Sequence, residues 1–370
     1  MDASNISTTV AWGGFGLGIV FGFVANKTNF CTMGAVSDIV NMGDWGRMRA
    51  WLLAIAVGIV GTNLLSYFGY LDLGKTVYTG NSFPWLAYIV GGLLFGVGMT
   101  LASGCGSKTL IRVGGGNLKS VVVFIYMGYA SLLTLKGIFG AFRVKFLQAP
   151  AVTIQFEHGQ TIADLIGSVG GMTGKTLQLT VALVVALAIL IFVFKDREFC
   201  RHCDNNLSGV ILGLVVVGGF FVTGYLGLAE NPDTMEMTYF GTNTHLAESI
   251  SMMAPTAYTL EYWAYWTDTS RFITFGIASV FGLGIGSFLY ALISKSFRWE
   301  HFSSSQDMFR HMIGATLMGF GGVTAMGCTI GQGLSGVATL SLGSFVAFIG
   351  IVFGAGITMK IQYYMMMREA

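Results

Sequence analysis

Charge is what this sequence has least of. Only 10% of its residues are Asp, Glu, Lys or Arg, and the formal net charge is +2. There is no basic tract, so nothing provides for nucleic acid. Proline is nearly absent, with four in 370 residues, which fits tightly packed transmembrane helices better than flexible linkers. Five cysteines, Cys31, Cys105, Cys200, Cys203 and Cys328, are too few and too scattered for a disulfide framework. The first ten residues lack a basic start and a cleavage site, so no cleavable signal peptide is expected. The five histidines have no catalytic or ligand-like spacing and read as loop residues. No polar stretch exceeds the roughly 40 residues from Ala229 to Ser270, too few for a separate aqueous domain.

What remains is apolar. Hydrophobic residues make up 54% of the chain, mean hydropathy is +0.68 and 53 residues are glycine. This composition describes close-packed transmembrane helices. Windows long enough to cross a bilayer fall near 10–26, 48–68, 84–103, 118–140, 176–194, 208–228, 271–293, 310–327 and 341–362. Shorter Gly/Ser/Thr-rich segments at 29–42, 105–113 and 329–337 read as re-entrant half-helices or loops, which are tolerated at membrane depth only where protein or a watery cavity surrounds them. The expectation is an all-α polytopic membrane protein of about nine spans, with residues 1–370 forming one transport domain. With the N-terminus outside, 14 Lys and Arg fall on inner loops and 6 on outer ones, so the C-terminus is placed in the cytoplasm.

One device occurs twice. Gly96, Gly98, Ala102, Gly104 and Cys105 are repeated 223 residues later as Gly319, Gly321, Ala325, Gly327 and Cys328. The first follows span three and the second span eight. Five spans apart, they approach the membrane from opposite faces, as in inverted-repeat transporters. The implied halves cover about 10–140 and 176–362. Downstream, Asn117–Ile125 echoes Ser341–Ile349. A further match, Phe15–Ile19 with Phe281–Ile285, joins two parallel spans and so lies outside the inversion: either it is a glycine-zipper coincidence or the span count is wrong.

A half-helix starting after each Gly-Cys pair points unpaired N–H groups and a positive dipole end at the path, an arrangement that binds anions. Ser107, Lys108 and Thr109 add donors around Gly104 and Cys105, as do Thr324, Thr329 and Gln332 around Gly327 and Cys328. Thiols are soft, weakly hydrogen-bonding groups and suit an anion with a terminal sulfur better than a hard oxyanion. Against this stands plain packing, since small-xxx-small spacing and buried cysteine are both common in helix interfaces. Cys31, in Asn29–Gly34, is open between core filler and path lining.

Other motifs carry less. Cys200-x-x-Cys203 has redox or metal spacing but no second pair, so no metal or cofactor is expected. Gly170–Thr176 imitates a phosphate loop, yet the required first glycine is Val169. The aromatic group Tyr258, Tyr262, Trp263, Tyr265 and Trp266 reads as an interfacial belt. Lys108, Arg112 and Lys119 are either topology anchors or an electropositive exit funnel. No Asp/Glu/His relay lies within the spans, which argues against proton-driven pumping.

The segments Asn29–Gly34, Gly96–Gly106, Gly115–Ser120, Phe297–Glu300 and Gly319–Gly336 resemble the YeeE/YedE family of membrane proteins, the sulfur-transport domain, over about residues 12–360. The resemblance implies thiosulfate uptake across the bacterial inner membrane by a pseudo-symmetric helical fold with re-entrant helices. It also implies a path lined by Cys31, Cys105 and Cys328, without enzymatic chemistry, and a small cytoplasmic TusA-like sulfurtransferase as partner. Relatives are linked to selenium handling, so a selenium compound or sulfite is an alternative cargo. A membrane sulfurtransferase passing persulfide sulfur to an acceptor is the rival mechanism, although no general base stands near the thiols.

Overall fold

The computed structural model describes residues 3–157, 159–170, 174–231 and 235–369, so the phosphate-loop imitation, which includes residues 171–173, lies partly outside the described residues. In chain order the helices are α1 (Ala3–Lys27), α2 (Thr32–Met42), α3 (Gly46–Tyr67), α4 (Trp85–Leu101), α5 (Gly106–Gly114), α6 (Leu118–Lys136), α7 (Ile138–Phe142), α8 (Ile162–Gly170), α9 (Lys175–Phe194), α10 (Arg197–Arg201), α11 (Cys203–Phe221), α12 (Met253–Ala264), α13 (Phe275–Ile293), α14 (Ser305–Thr324) and α15 (Leu342–Glu369). Among the described residues, strand structure is confined to two short antiparallel ladders, one pairing Ser82 with Gln155 and one pairing Leu228 with Tyr239. Helices α1, α3, α4, α6, α9, α11, α13 and α15 supply eight stretches long and apolar enough to cross a membrane. The protein is an all-α polytopic membrane protein.

Helix α14 corresponds to the eighth expected span. It is 20 residues long, and Ser304 Oγ caps it by accepting the Asp307 amide at 3.1 Å. Gln306, Asp307, Arg310 and His311 occupy its first two turns and lower its hydropathy, yet it packs between α4 and α6. His311 therefore belongs to a helix rather than a loop, with Nδ1 2.8 Å from the Asp307 carbonyl.

Glycine contacts fix the helix directions. A methyl on Gly91 would stand 2.7 Å from the Gly321 carbonyl, and one on Gly98 would stand 2.6 Å from that of Gly314. Position rises along α4 as it falls along α14, so the two are antiparallel. On α1 and α13, Gly14 meets Phe275, Gly18 meets Ser279 and Gly22 meets Leu283, so this pair is parallel. Both results agree with nine alternating spans. They also resolve the Phe15–Phe281 match. Gly18 from one copy and Gly282 from the other lie in the α1–α13 contact, so the shared motif is a packing seam between parallel helices. Such seams let backbones touch where lipid offers no hydrophobic drive to associate.

The pairings are themselves duplicated. α1 packs on α13 as α11 packs on α3, α4 on α15 as α14 on α6, and α12 on α6 as α2 on α15. Exchanging α1–α6 with α11–α15 maps each contact onto its partner, with the π-helical turn Gly331–Gly336 standing in for α5. Because α4 and α14 are antiparallel, the relation is an inverted one. Helix α9 has no counterpart: it lies against α3, and only Ala182, Ala186 and Val193 on it are buried.

One expectation fails within 229–270. The stretch is not all loop, since Met253–Ala264 forms α12, whose Met253, Pro255, Thr256, Ala257, Thr259 and Glu261 are buried. It is the counterpart of α2. At 12 residues it falls well short of a span, and its aromatic residues masked it as a surface belt.

Candidate functional site

The Gly-Cys device turns out to be three turns of one design. α1, α4 and α14 each end on a non-glycine residue in the left-handed region: Asn29 (φ 51°), Ser103 (φ 56°) and Met326 (φ 60°). The following amide reaches back five residues in each case, Phe30 to the Ala25 carbonyl at 3.1 Å, Gly104 to Met99 at 2.9 Å and Gly327 to Gly322 at 2.8 Å. This is the Schellman helix stop, in which glycine usually takes the left-handed position. The next residue is a cysteine. Cys31 and Cys105 are extended and immediately start α2 and α5, while the Cys328 carbonyl accepts the Gln332 amide at 2.7 Å as its own turn begins. Each thiol thus sits at the single residue shared by a helix end and a helix start. Holding three L-residues left-handed costs about 1 kcal/mol apiece, the kind of local strain that collects at functional sites.

Gly104 and Gly327 are not the left-handed residues. Their value is proximity, since a methyl on Gly327 would stand 3.0 Å from Gln332 Cγ and one on Gly104 3.4 Å from Lys108 Cγ.

All three thiols are buried. Cys31 and Cys105 interact directly, and the Thr329 hydroxyl approaches Cys105 from the opposite turn. Ser107 Oγ lies 3.2 Å from Cys105 Sγ. Cys328 is a neighbour of Cys105 rather than a hydrogen-bond partner. Its sulfur accepts the Gly331 amide at 3.4 Å and faces the Met252 amide at the start of α12. Met252 thus holds in the second half the helix-start position that Cys31 holds in the first.

Around this cluster, Thr32 Oγ1, Thr324 Oγ1 and Gln332 Oε1 are buried with no hydrogen-bond partner among the described residues, and Thr329 Oγ1 has none besides the Cys105 thiol. A buried hydroxyl or amide oxygen left unpaired costs about 1–3 kcal/mol. The Gln332 amide nitrogen is satisfied, donating to the Ala325 carbonyl at 2.6 Å. The chain therefore concentrates thiols, unsatisfied hydroxyls and helix-start amides between the two opposed turns.

The Cys31–Cys105 side opens into two polar cavities of about 650 and 480 Å³ that share Lys108 and Arg112. Lys108 Nζ donates to Asn29 Oδ1 at 3.0 Å, tying the first turn to the second. Arg112 donates to the Ser103 carbonyl at 2.8 Å and so secures the left-handed residue. Neither has an acidic partner among the described residues. Arg47 is bound to Asp38 at 2.6 Å and Lys119 to Asp307 at 3.0 Å. Cys200 and Cys203 are exposed at this end, beside Phe199 and His202 of the larger cavity wall.

The structure gathers Cys31, Cys105, Ser107, Thr329 and, one step away, Cys328, Thr324 and Gln332. Sequence reasoning missed Thr32 and Met252. Only the inverted pairing of α2 with α12 points to Met252, because no glycine or cysteine marks that turn.

Chemically, the cluster can hold a soft anion by several weak contacts, which is what passage requires.

Residues 27–357 match the protein family described as Sulphur transport. The thiosulfate transporter TsuA of Escherichia coli strain K12 is 25% identical over 95% of this chain and 95% of its own length. TsuA of Spirochaeta thermophila is 24% identical over 93% of this chain and 96% of its own. The probable transporter YedE of E. coli is 27% identical over 52% of this chain and 43% of its own.

Proposed function

The chain belongs to the sulphur transport family, and from that premise we propose that it is a permease carrying thiosulfate inward across the bacterial inner membrane. Residues 1–370 act as one transport domain of two inverted halves. The observation that carries this reading is the cluster of Cys31, Cys105 and Thr329 where the opposed turns meet. The Lys/Arg distribution puts the Lys108 end in the cytoplasm and the N-terminus outside. Thiosulfate arriving from outside meets Cys328 first. Its terminal sulfur exchanges S–H···S contacts from Cys328 to Cys105 and Cys31, while helix-start amides and the hydroxyls of Thr324 and Thr329 face its oxygens. Lys108 and Arg112 then draw the dianion into the polar cavities, where a TusA-like sulfurtransferase collects it.

Uptake of labelled thiosulfate into proteoliposomes tests this reading. Uptake by the wild type that is lost in Cys105→Ala and Cys328→Ala supports it, and wild-type rates in both variants would end it. The contact between Cys31 and Cys105 favours a second reading, transfer of persulfide sulfur. That reading predicts a mass gain of one sulfur atom on Cys31 or Cys105 after exposure to substrate, and transport alone predicts none.

A further inference from the structure

The Cys328 turn has a cavity of its own that the thiol path does not use. It is small, about 60 Å³, and is lined by Tyr78, Asn243, Glu248, Ser251, Tyr258 and Met326 among others. Room of this size exceeds what one water needs and takes a small anion. Its rim residues Asn243 and Thr244 are exposed, as is Met326, the left-handed residue of the third turn. Its floor is one layer above the thiol. A methyl on Gly331 would stand 2.5 Å from Ser251 Oγ and 3.7 Å from Tyr78 Oη, and the Gly331 amide in turn donates to Cys328 Sγ. The cavity therefore lies between the surface and Cys328.

Glu248 is the one charged side chain in this lining. Its backbone is fixed by Thr223, whose hydroxyl donates to the Glu248 carbonyl at 2.6 Å and faces its amide at 3.1 Å. Its carboxyl has no ion-pair partner among the described residues. The titratable groups facing it are Tyr78 from the segment before α4 and Tyr258 from α12. From α13, Gly276 faces it, with no side chain of its own. The surrounding cations are engaged elsewhere: Lys136 and Arg271 both bind Glu261, and Arg143 faces Tyr258. Glu248 is half-buried, and desolvation without a counter-charge pushes its carboxyl up to about 8, so near neutrality the group is mostly a neutral hydrogen-bond donor.

We propose that this cavity is the capture site for the incoming anion, and that Glu248 admits it only when protonated. The neutral carboxyl donates to an anion oxygen beside the hydroxyls of Tyr78 and Ser251. Once ionised, it places a like charge in a narrow, poorly solvated site and bars the dianion. The proposal rests on the anion-permease reading and assigns that path its outer site and its pH dependence.

The experiment is uptake of labelled thiosulfate into proteoliposomes with the internal pH fixed, the membrane potential clamped and the external pH varied. For one carboxyl near 8, the wild-type initial rate falls about tenfold between pH 7 and pH 9, while Glu248→Gln stays level. A level wild-type profile, or a Glu248→Gln profile with the wild-type midpoint, overturns the proposal. A second readout does not depend on thiosulfate being the cargo. A small anionic thiosulfonate reagent and its cationic counterpart are added from outside, and peptide mass spectrometry reads modification at Cys328. The ratio of anionic to cationic rates falls from pH 7 to pH 9 in the wild type and is constant in Glu248→Gln. A constant ratio in the wild type overturns the capture site whether or not Glu248→Gln folds. If the ratio behaves as expected and thiosulfate uptake is absent, only the choice of cargo fails.

Discussion

The turns at Cys105 and Cys328 share a backbone and differ in what they offer the path. Both follow a left-handed non-glycine residue and a hydrogen bond that returns five residues. Three residues after the cysteine, however, one has Lys108 and the other Gly331. The first turn continues as a regular helix, with its lysine standing between two large polar cavities. The second continues as a π-helical turn under a cavity roughly a tenth that size. The symmetric part of the device presents sulfur and amides, and in the proposed permease the asymmetric part gives the path its direction. A cation at one mouth and a carboxyl at the other make the two ends unequal toward an anion.

Substitutions separate these contributions. The largest effect is expected where both turns supply the same atom: Cys105→Ala and Cys328→Ala should each abolish growth on thiosulfate as sole sulfur source, with normal protein in the membrane. Loss from only one would show that the halves do not share the task. Next come the glycines of the α4–α14 seam. Gly98→Val and Gly321→Val drive methyls into facing backbone, an overpacking that costs about 1–3 kcal/mol or more. Both should lower the melting temperature in detergent by similar amounts, and unequal losses would mean the seam is less symmetric than its contacts.

Lys108→Gln should slow uptake several-fold and weaken its dependence on ionic strength, leaving stability nearly unchanged. Glu248 tests the other mouth through stability. Its carboxyl has an ordinary value of 4.5, raised in the folded protein to about 8 by burial. Between those values the folded state holds a proton that the unfolded state has released. Stability should therefore fall as pH rises through that window and level off above it. Glu248→Gln should remove that slope in pH-resolved melting, and a slope equal to the wild type's would mean the group is solvated. The smallest effect belongs to the shared strain. Ser103→Gly and Met326→Gly should each stabilise by up to about 1 kcal/mol, and opposite signs would show that one side chain has a contact role.

Most of the frame was legible because hydropathy and spacing record it directly. Span positions followed from apolar runs, and the opposition of Cys105 and Cys328 followed from counting spans. The third turn was not legible as a member of the set, because Asn29-Phe30-Cys31 lacks the glycine that marks the other two. Its likeness lies in a dihedral angle and a hydrogen bond, neither of which a sequence displays. Helix α12 was hidden by its own composition, since a short segment with Glu261 and three aromatic residues reads as surface. The Phe15–Phe281 match was visible but not interpretable, for a glycine pattern gives close packing without naming the partner. Glu248 stood in an acidic loop, where nothing separates one carboxyl from the next until burial is known.

Helix α9 gives the inversion its arithmetic. It is the one long span without a counterpart, touching α3 and otherwise facing outward. Remove it and four spans would separate α4 from α14, so the second half would enter the bilayer the same way up as the first. The three thiol turns would then all stand at one face, with none opposing the others. What α9 contributes is therefore a change of sign: one crossing that turns two like-built halves into opposed ones. An unrelated apolar span of equal length, keeping the carbonyls of Phe192 and Val193 that Arg49 binds, would serve the same purpose.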